Sequence, residues 1–189
     1  MMILQWLVIW AMMMQTFEKQ KFIGIDAFRE TPEFSENILV ATDFGGSSWG
    51  EFYECISAVL VIHTDRTVDV IMPTRVGDYY VLQSQVITTL ELTEEQYQNI
   101  EKAIDRTRLY WLDPDENVDV CDGDSLYLAL YGKDDQVLKN CGGYMPRNQY
   151  LLETYRTVHE NLPVGELNRI RSEHIEKLRA DDLEMINAE

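Results

Sequence analysis

The chain has 189 residues, 46% of them apolar and 11% aromatic, enough to bury a core without metal or disulfide staples. Its 33 acidic and 16 basic residues give a formal charge of −17, a field that repels phosphate backbones and anionic lipid surfaces alike. Nucleic-acid binding and strong membrane binding are disfavoured, and a basic protein partner fits the sign.

Residues 1–14 (MMILQWLVIWAMMM) are almost wholly apolar but too short to span a bilayer as a helix. They lack the basic start and small-residue cleavage site of a secretory signal. Three readings compete: an upstream mis-start with translation beginning at Met12, Met13 or Met14, an element docked on the domain, or an anchor. The ordinary polar start that follows favours the first. The expected organisation is an apolar N-terminal segment (1–14), a single α+β domain (15–162) and a C-terminal helical appendage (163–189).

In chain order, 20–28 and 37–44 predict short strands separated by a Pro-containing turn. Residues 45–50, with Trp49 among glycines and serines, predict a loop, where a tryptophan is either a binding anchor or a cover for the sheet edge. The run 52–63 is apolar on both faces and predicts a central strand containing Cys55. Asp65-Arg66 turns it into a second strand, 67–72, which Pro73 is expected to end. Residues 79–91 alternate, with Tyr80, Leu82, Val86 and Leu90 expected on one buried face.

Thr93, with Gln96 three residues on, predicts a capping box opening a helix whose stripe is Tyr97, Ile100 and Ile104. Asp113-Pro114 ends the helical pattern. Strands at 125–132 and 136–144 form a hairpin about Gly132–Asp135, Gly142-Gly143 lets the chain leave the sheet, and Pro146 suits the first turn of a helix carrying Leu151, Tyr155 and Val158. After Pro163 a last helix runs from Val164 to about Ala180. Strands and helices are segregated, so the expected fold is α+β: an antiparallel sheet of hairpins with helices packed on one face, plus a C-terminal helix.

The acidic connector is the place to look for a metal. Asp113, Asp115, Asn117, Asp119 and Asp124 approach the spacing of a calcium loop, but Val118 replaces its glycine and Asp124 its bidentate glutamate. Together with Asp122 these carboxylates read better as a solvated acidic surface open to a basic partner, and no metal or cofactor is expected. Three cysteines are too few for a disulfide framework. The hairpin turn sets Cys121 opposite Met145, not opposite Cys141, so all three are expected reduced, as suits a cytoplasmic protein. His63, His159 and His174 have no ligand-spaced neighbours and read as hydrogen-bonded structural residues, His159 as a cation suited to a helix C-terminus. Leu167, Ile170, His174 and Leu178 line one side of the last helix. They offer a seam for a homodimer, while Arg169, Arg171, Lys177 and Arg179 pair either with the domain's own carboxylates or with a partner.

Between about Val86 and Glu160 a strand enters Thr-Glu-Glu and a helix. Asp122-Gly123 then opens a strand, a charged turn opens a second, and Gly143-Tyr144-Met145-Pro146 leads into a helix. This pattern resembles a segment common in small uncharacterised bacterial proteins, some of them similar to immunity partners of secreted toxins. It departs from theirs at Leu126 or Tyr127, where tryptophan is favoured, and at Gly143, where asparagine is common. The resemblance implies a hairpin-plus-helix fold and brings no catalytic residues. The expected function is a non-enzymatic protein-binding module of immunity type. The alternatives are a hydrolase or small-molecule enzyme using distant residues such as His63 and Cys121, and an assembly protein. Removal of residues 1–13 is expected to leave the melting temperature within a few degrees, checked by thermal denaturation of a chain beginning at Met14.

Overall fold

The alternating segments fold as one antiparallel sheet of six strands in the order β4-β3-β2-β1-β5-β6. The computed structural model describes residues 31–46, 52–75, 82–112 and 125–188. The expected strand at 20–28, Trp49 and the connector 113–124 lie outside them. The strands are β1 (Ile38–Phe44), β2 (Ala58–His63), β3 (Thr67–Arg75), β4 (Leu82–Glu91), β5 (Ser125–Tyr131) and β6 (Val137–Tyr144). The helices are α1 (Glu94–Ala103), α2 (Arg106–Tyr110), α3 (Gln149–Glu160) and α4 (Val164–Ala188); α1, α3 and α4 follow the sequence signals, whereas α2 is a separate helix where one pattern running to Asp113 was expected.

The main core joins Val40, Leu60, Ile62, Val68, Val70, Met72, Leu128 and Leu130 of the sheet to residues of every helix, among them Ile100, Leu109, Val158 and Leu167. The fold is therefore α+β with its helices on one sheet face. A second, smaller cluster of Ile38, Ala41 and Val61 lies on the opposite face. Among the described residues no helix is long and apolar enough to cross a membrane.

Local chemistry explains the element ends. Arg66 takes a positive φ of 75° in the β2–β3 turn, and Asp65 Oδ1 accepts from the Thr67 amide at 3.0 Å. Thr93 Oγ1 accepts from the Gln96 amide at 3.3 Å while Gln96 Oε1 accepts from the Thr93 amide at 3.0 Å, completing the capping box. The helical pattern then breaks at Ile104, and Asp105 caps α2 through the Arg108 amide at 3.0 Å.

Several expectations are corrected. Phe52–Cys55 is a turn, so Cys55 is exposed, because apolarity alone does not distinguish a strand from a turn that leads into one. Pro73 does not end β3. It pairs with Ser84, where β2, whose ladder to β3 covers only Val68–Ile71, no longer needs an amide donor from it. Val86 is 52% exposed because a bulge opposite Val70/Ile71 inserts Ile87 and flips the face of the residues before it. Gly142 lies inside β6, not at its exit, and a Cβ there would stand 2.2 Å from the Leu126 carbonyl oxygen. Cys141 lies opposite Leu128, a register set by the irregularity at Leu130/Tyr131. Pro146 precedes α3 without entering it, the cap being Asn148, whose side chain accepts from the Leu151 amide at 3.1 Å. Finally, α4 continues past Ala180 to Ala188.

Replacing Thr93 by alanine is expected to cost about 1 kcal/mol, read as a lowered midpoint in urea denaturation with an unchanged slope.

Candidate functional site

The sheet has one covered and one uncovered face among the described residues. Strand alternation puts Ala41 and Asp43 of β1, Val59, Val61 and His63 of β2, Asp69 and Ile71 of β3, and Tyr127, Ala129 and Tyr131 of β5 on the face away from the helices. Its centre is buried, with Ile71, Ala129 and Tyr131 packed on Ile38, Ala41 and Val61. Around that centre Val59, Val86 and Tyr127 remain 43%, 52% and 43% exposed. Polar groups border them. His63 Nε2 and Asp69 Oδ2 are 3.0 Å apart, and Thr89 Oγ1 donates to Asp69 Oδ1 at 2.6 Å. The arrangement is an apolar patch edged by carboxylates.

On the helix side, one polar cluster joins β1, β5 and α3. Thr42 Oγ1 donates to the Tyr127 carbonyl at 3.1 Å and lies 3.1 Å from His159 Nε2. With the hydroxyl proton directed at that carbonyl, the imidazole Nε2–H donates to Thr42. The imidazole lies between Tyr155, 4.0 Å away at 27°, and Phe44, 6.2 Å away at 17°. Burial lowers its pKa, outweighing the opposing charge of Asp43. His159 is thus neutral near pH 7, correcting the helix-end cation expected from sequence. Asp43 accepts from the Tyr127 amide at 3.1 Å, and burial raises its carboxyl above the ordinary value. A shallow cleft of about 510 Å³ opens beside this cluster, lined by Leu126, Leu152, Tyr155, Val164 and the edges of Arg156, His159 and Glu160. Among the described residues its lining holds no hydroxyl or thiol nucleophile apart from the Tyr155 phenol.

Of the residues singled out in the sequence, Trp49, Asp113, Asp115, Asp119, Asp122 and Asp124 lie outside the described residues. Leu167 is buried in the main core, Ile170 packs against it, and His174 Nε2 donates to the Pro73 carbonyl at 2.7 Å. The apolar line of α4 therefore serves the sheet of its own chain. His63 and His159 do not meet: one stands on the uncovered face opposite Ile38, the other across the sheet beside Thr42. Cys141 is buried, its thiol donating to the Leu109 carbonyl at 3.3 Å and its pKa pushed up to about 11 by burial. Among the described residues no group of three or more His, Cys, Asp or Glu side chains could hold a metal. No family model, curated protein or solved structure matches the chain.

The Thr42–His159 contact spans 117 positions and leaves no local signal in the sequence. Because the folded pKa of His159 lies below the unfolded value of 6.5, its neutral burial stabilises the fold above that pH, and the contribution is lost as pH falls through the lowered value. Replacing His159 by glutamine is expected to flatten the decline of melting temperature between about pH 7 and 5, measured by circular dichroism.

Proposed function

We propose that the chain is a non-enzymatic protein-binding module that takes a basic protein partner on the uncovered face of its sheet, as an immunity protein masks a toxin. The observation that carries this reading is the exposed set Val59, Val86 and Tyr127 beside Asp43 and Asp69 on a face without helices among the described residues. Apolar contacts at the centre supply affinity, and carboxylates at the rim select a cationic surround. The formal charge of −17 supports the same partner, since it steers a basic protein towards the chain over a Debye length of roughly 10 Å. The resemblance of residues 86–160 to immunity-like proteins agrees in sign and in class.

The test takes the product of a toxin-like reading frame beside the gene and follows association by stopped-flow fluorescence at increasing salt. The association rate is expected to fall by about tenfold or more between low and high ionic strength, with dissociation much less affected. Val59→Arg and Val86→Arg should each weaken binding without lowering the melting temperature. A salt-indifferent rate rejects steering, and unchanged affinity in both variants rejects the sheet face.

A further inference from the structure

We propose that β4 is a pairing edge for a second copy of this chain, the two β4 strands running antiparallel about a two-fold axis at Ser84. The inference goes beyond the partner-binding face and uses a different surface, the main-chain rim of the sheet. Three edges of the sheet can be compared. On β6, Lys139 turns its ammonium onto the Tyr110 and Leu112 carbonyls at 2.6 and 2.5 Å, and Gly142 distorts the strand backbone with a φ of 114°. The stretch of β3 that outruns β2 is closed by Pro73, which has no amide donor, and by His174 on the Pro73 carbonyl. Lysine, proline, irregular backbone and a covering side chain are the devices that keep sheet edges from pairing.

The outer edge of β4 has few of them. It ends the sheet, bonded to β3 alone among the described residues. From Gln83 to Leu90 it carries no charge and no proline. Among the described residues its protective feature is the bulge at Ile87, which lies beyond the regular stretch of residues 82–86.

The Pro73–Ser84 pair fixes which main-chain groups are open. A proline opposite Ser84 cannot donate into the ladder, and its carbonyl points away from β4 towards His174. The pair is therefore of the non-hydrogen-bonded kind, so the amide and carbonyl of Ser84 point outward from the sheet. A two-fold axis there lets each Ser84 amide donate to the other Ser84 carbonyl, and sets Gln83 opposite Gln85 of the second copy. Such a register places no charged side chain against its like, in a chain whose net charge of −17 opposes self-association elsewhere.

The experiment is sedimentation velocity of the full chain over a concentration series at low and high salt. A concentration-dependent dimer is expected, strengthened by salt because screening relieves the repulsion between copies; binding of a basic partner responds to salt with the opposite sign. Ser84→Pro removes the outward donor without touching the β3 ladder, and should abolish the dimer while keeping the melting temperature. Ser84→Lys sets two ammonium groups across the axis and should do the same, and it decides the matter if the proline variant fails to fold. A wild-type chain that stays monomeric at all concentrations overturns the proposal, as does a dimer that survives the folded variants. Binding of a basic partner by a monomeric chain would leave the partner-binding reading intact.

Discussion

A short seam holds the sheet together. Strand β1 joins the β2–β3–β4 meander to the β5–β6 hairpin, yet its ladder to β5 has two residue pairs, Ala41↔Ala129 and Thr42↔Leu128. Other groups extend the junction where this ladder stops. At one end the Ser35 amide donates to the Tyr131 carbonyl at 2.9 Å, and at the other Asp43 accepts the Tyr127 amide while Thr42 donates to the Tyr127 carbonyl. A main-chain group left without a partner at so buried a junction would cost about 1–3 kcal/mol. That constraint explains why a carboxylate and a threonine occur at the end of the otherwise apolar strand ILVATDF.

The seam also accounts for the residues around it. Thr42 brings His159 to the sheet, and the Phe44 and Tyr155 rings that exclude water from the imidazole keep it neutral. The raised Asp43 carboxyl reflects the same loss of water, tolerated because the Tyr127 amide needs an acceptor. At the other end Ser35 is wholly buried, its hydroxyl accepting from the Asn37 and Ile38 amides and donating to Asp135, a residue of the β5–β6 turn with a φ of 53°. Arg106 reaches the Ser35 carbonyl at 2.6 Å and so ties α2 to the same point. Polar residues here act as structural joints between elements far apart in sequence, and Asp43 among them also borders the uncovered face proposed for binding.

Much of the architecture was legible because its signals are local. The two hairpins declare themselves by apolar runs broken at Asp65-Arg66 and at Gly132–Asp135, and the capping box of α1 by the Thr93–Gln96 spacing. The failures have specific physical sources. Period-two reading assumes unbroken pairing, so the bulge at Ile87 inverted the face assigned to Val86. An apolar run can lead into a largely exposed turn, as at Phe52–Cys55, where only Tyr53 packs against the core. The candidate site was legible only in its chemistry. Net charge predicted a basic partner, but the uncovered face depends on which side of the sheet the helices choose, and no residue records that choice alone.

Helix α4 shows how a narrow apolar stripe can still dock a long helix. Of its 25 residues only Leu167 and Leu178 are fully buried hydrophobics among those described. Ile170 and Ile175 add partly buried apolar contacts, and polar contacts directed mainly at main-chain carbonyls add to them. Arg171 donates to the Ile56 carbonyl at 2.8 Å and the Glu54 carbonyl at 3.0 Å, passing beside Gly45, whose φ of 67° and missing Cβ leave it room. His174 takes the Pro73 carbonyl, and Arg179 stacks over the Tyr53 ring at 4.9 Å. Arg169 instead bridges Glu166 and Glu173 on the exposed side of the helix, where ion pairs contribute little. The basic residues of α4 thus divide by depth. Arg169 pairs with carboxylates of its own helix, while Arg171 and His174 hydrogen-bond the turn and the strand edge that the ladder leaves open. A guanidinium suits this second task because a charged donor makes a stronger bond to a carbonyl than a neutral amide does. The same contacts close β3 at Pro73 and leave β4 as the edge of the sheet without a covering side chain among the described residues.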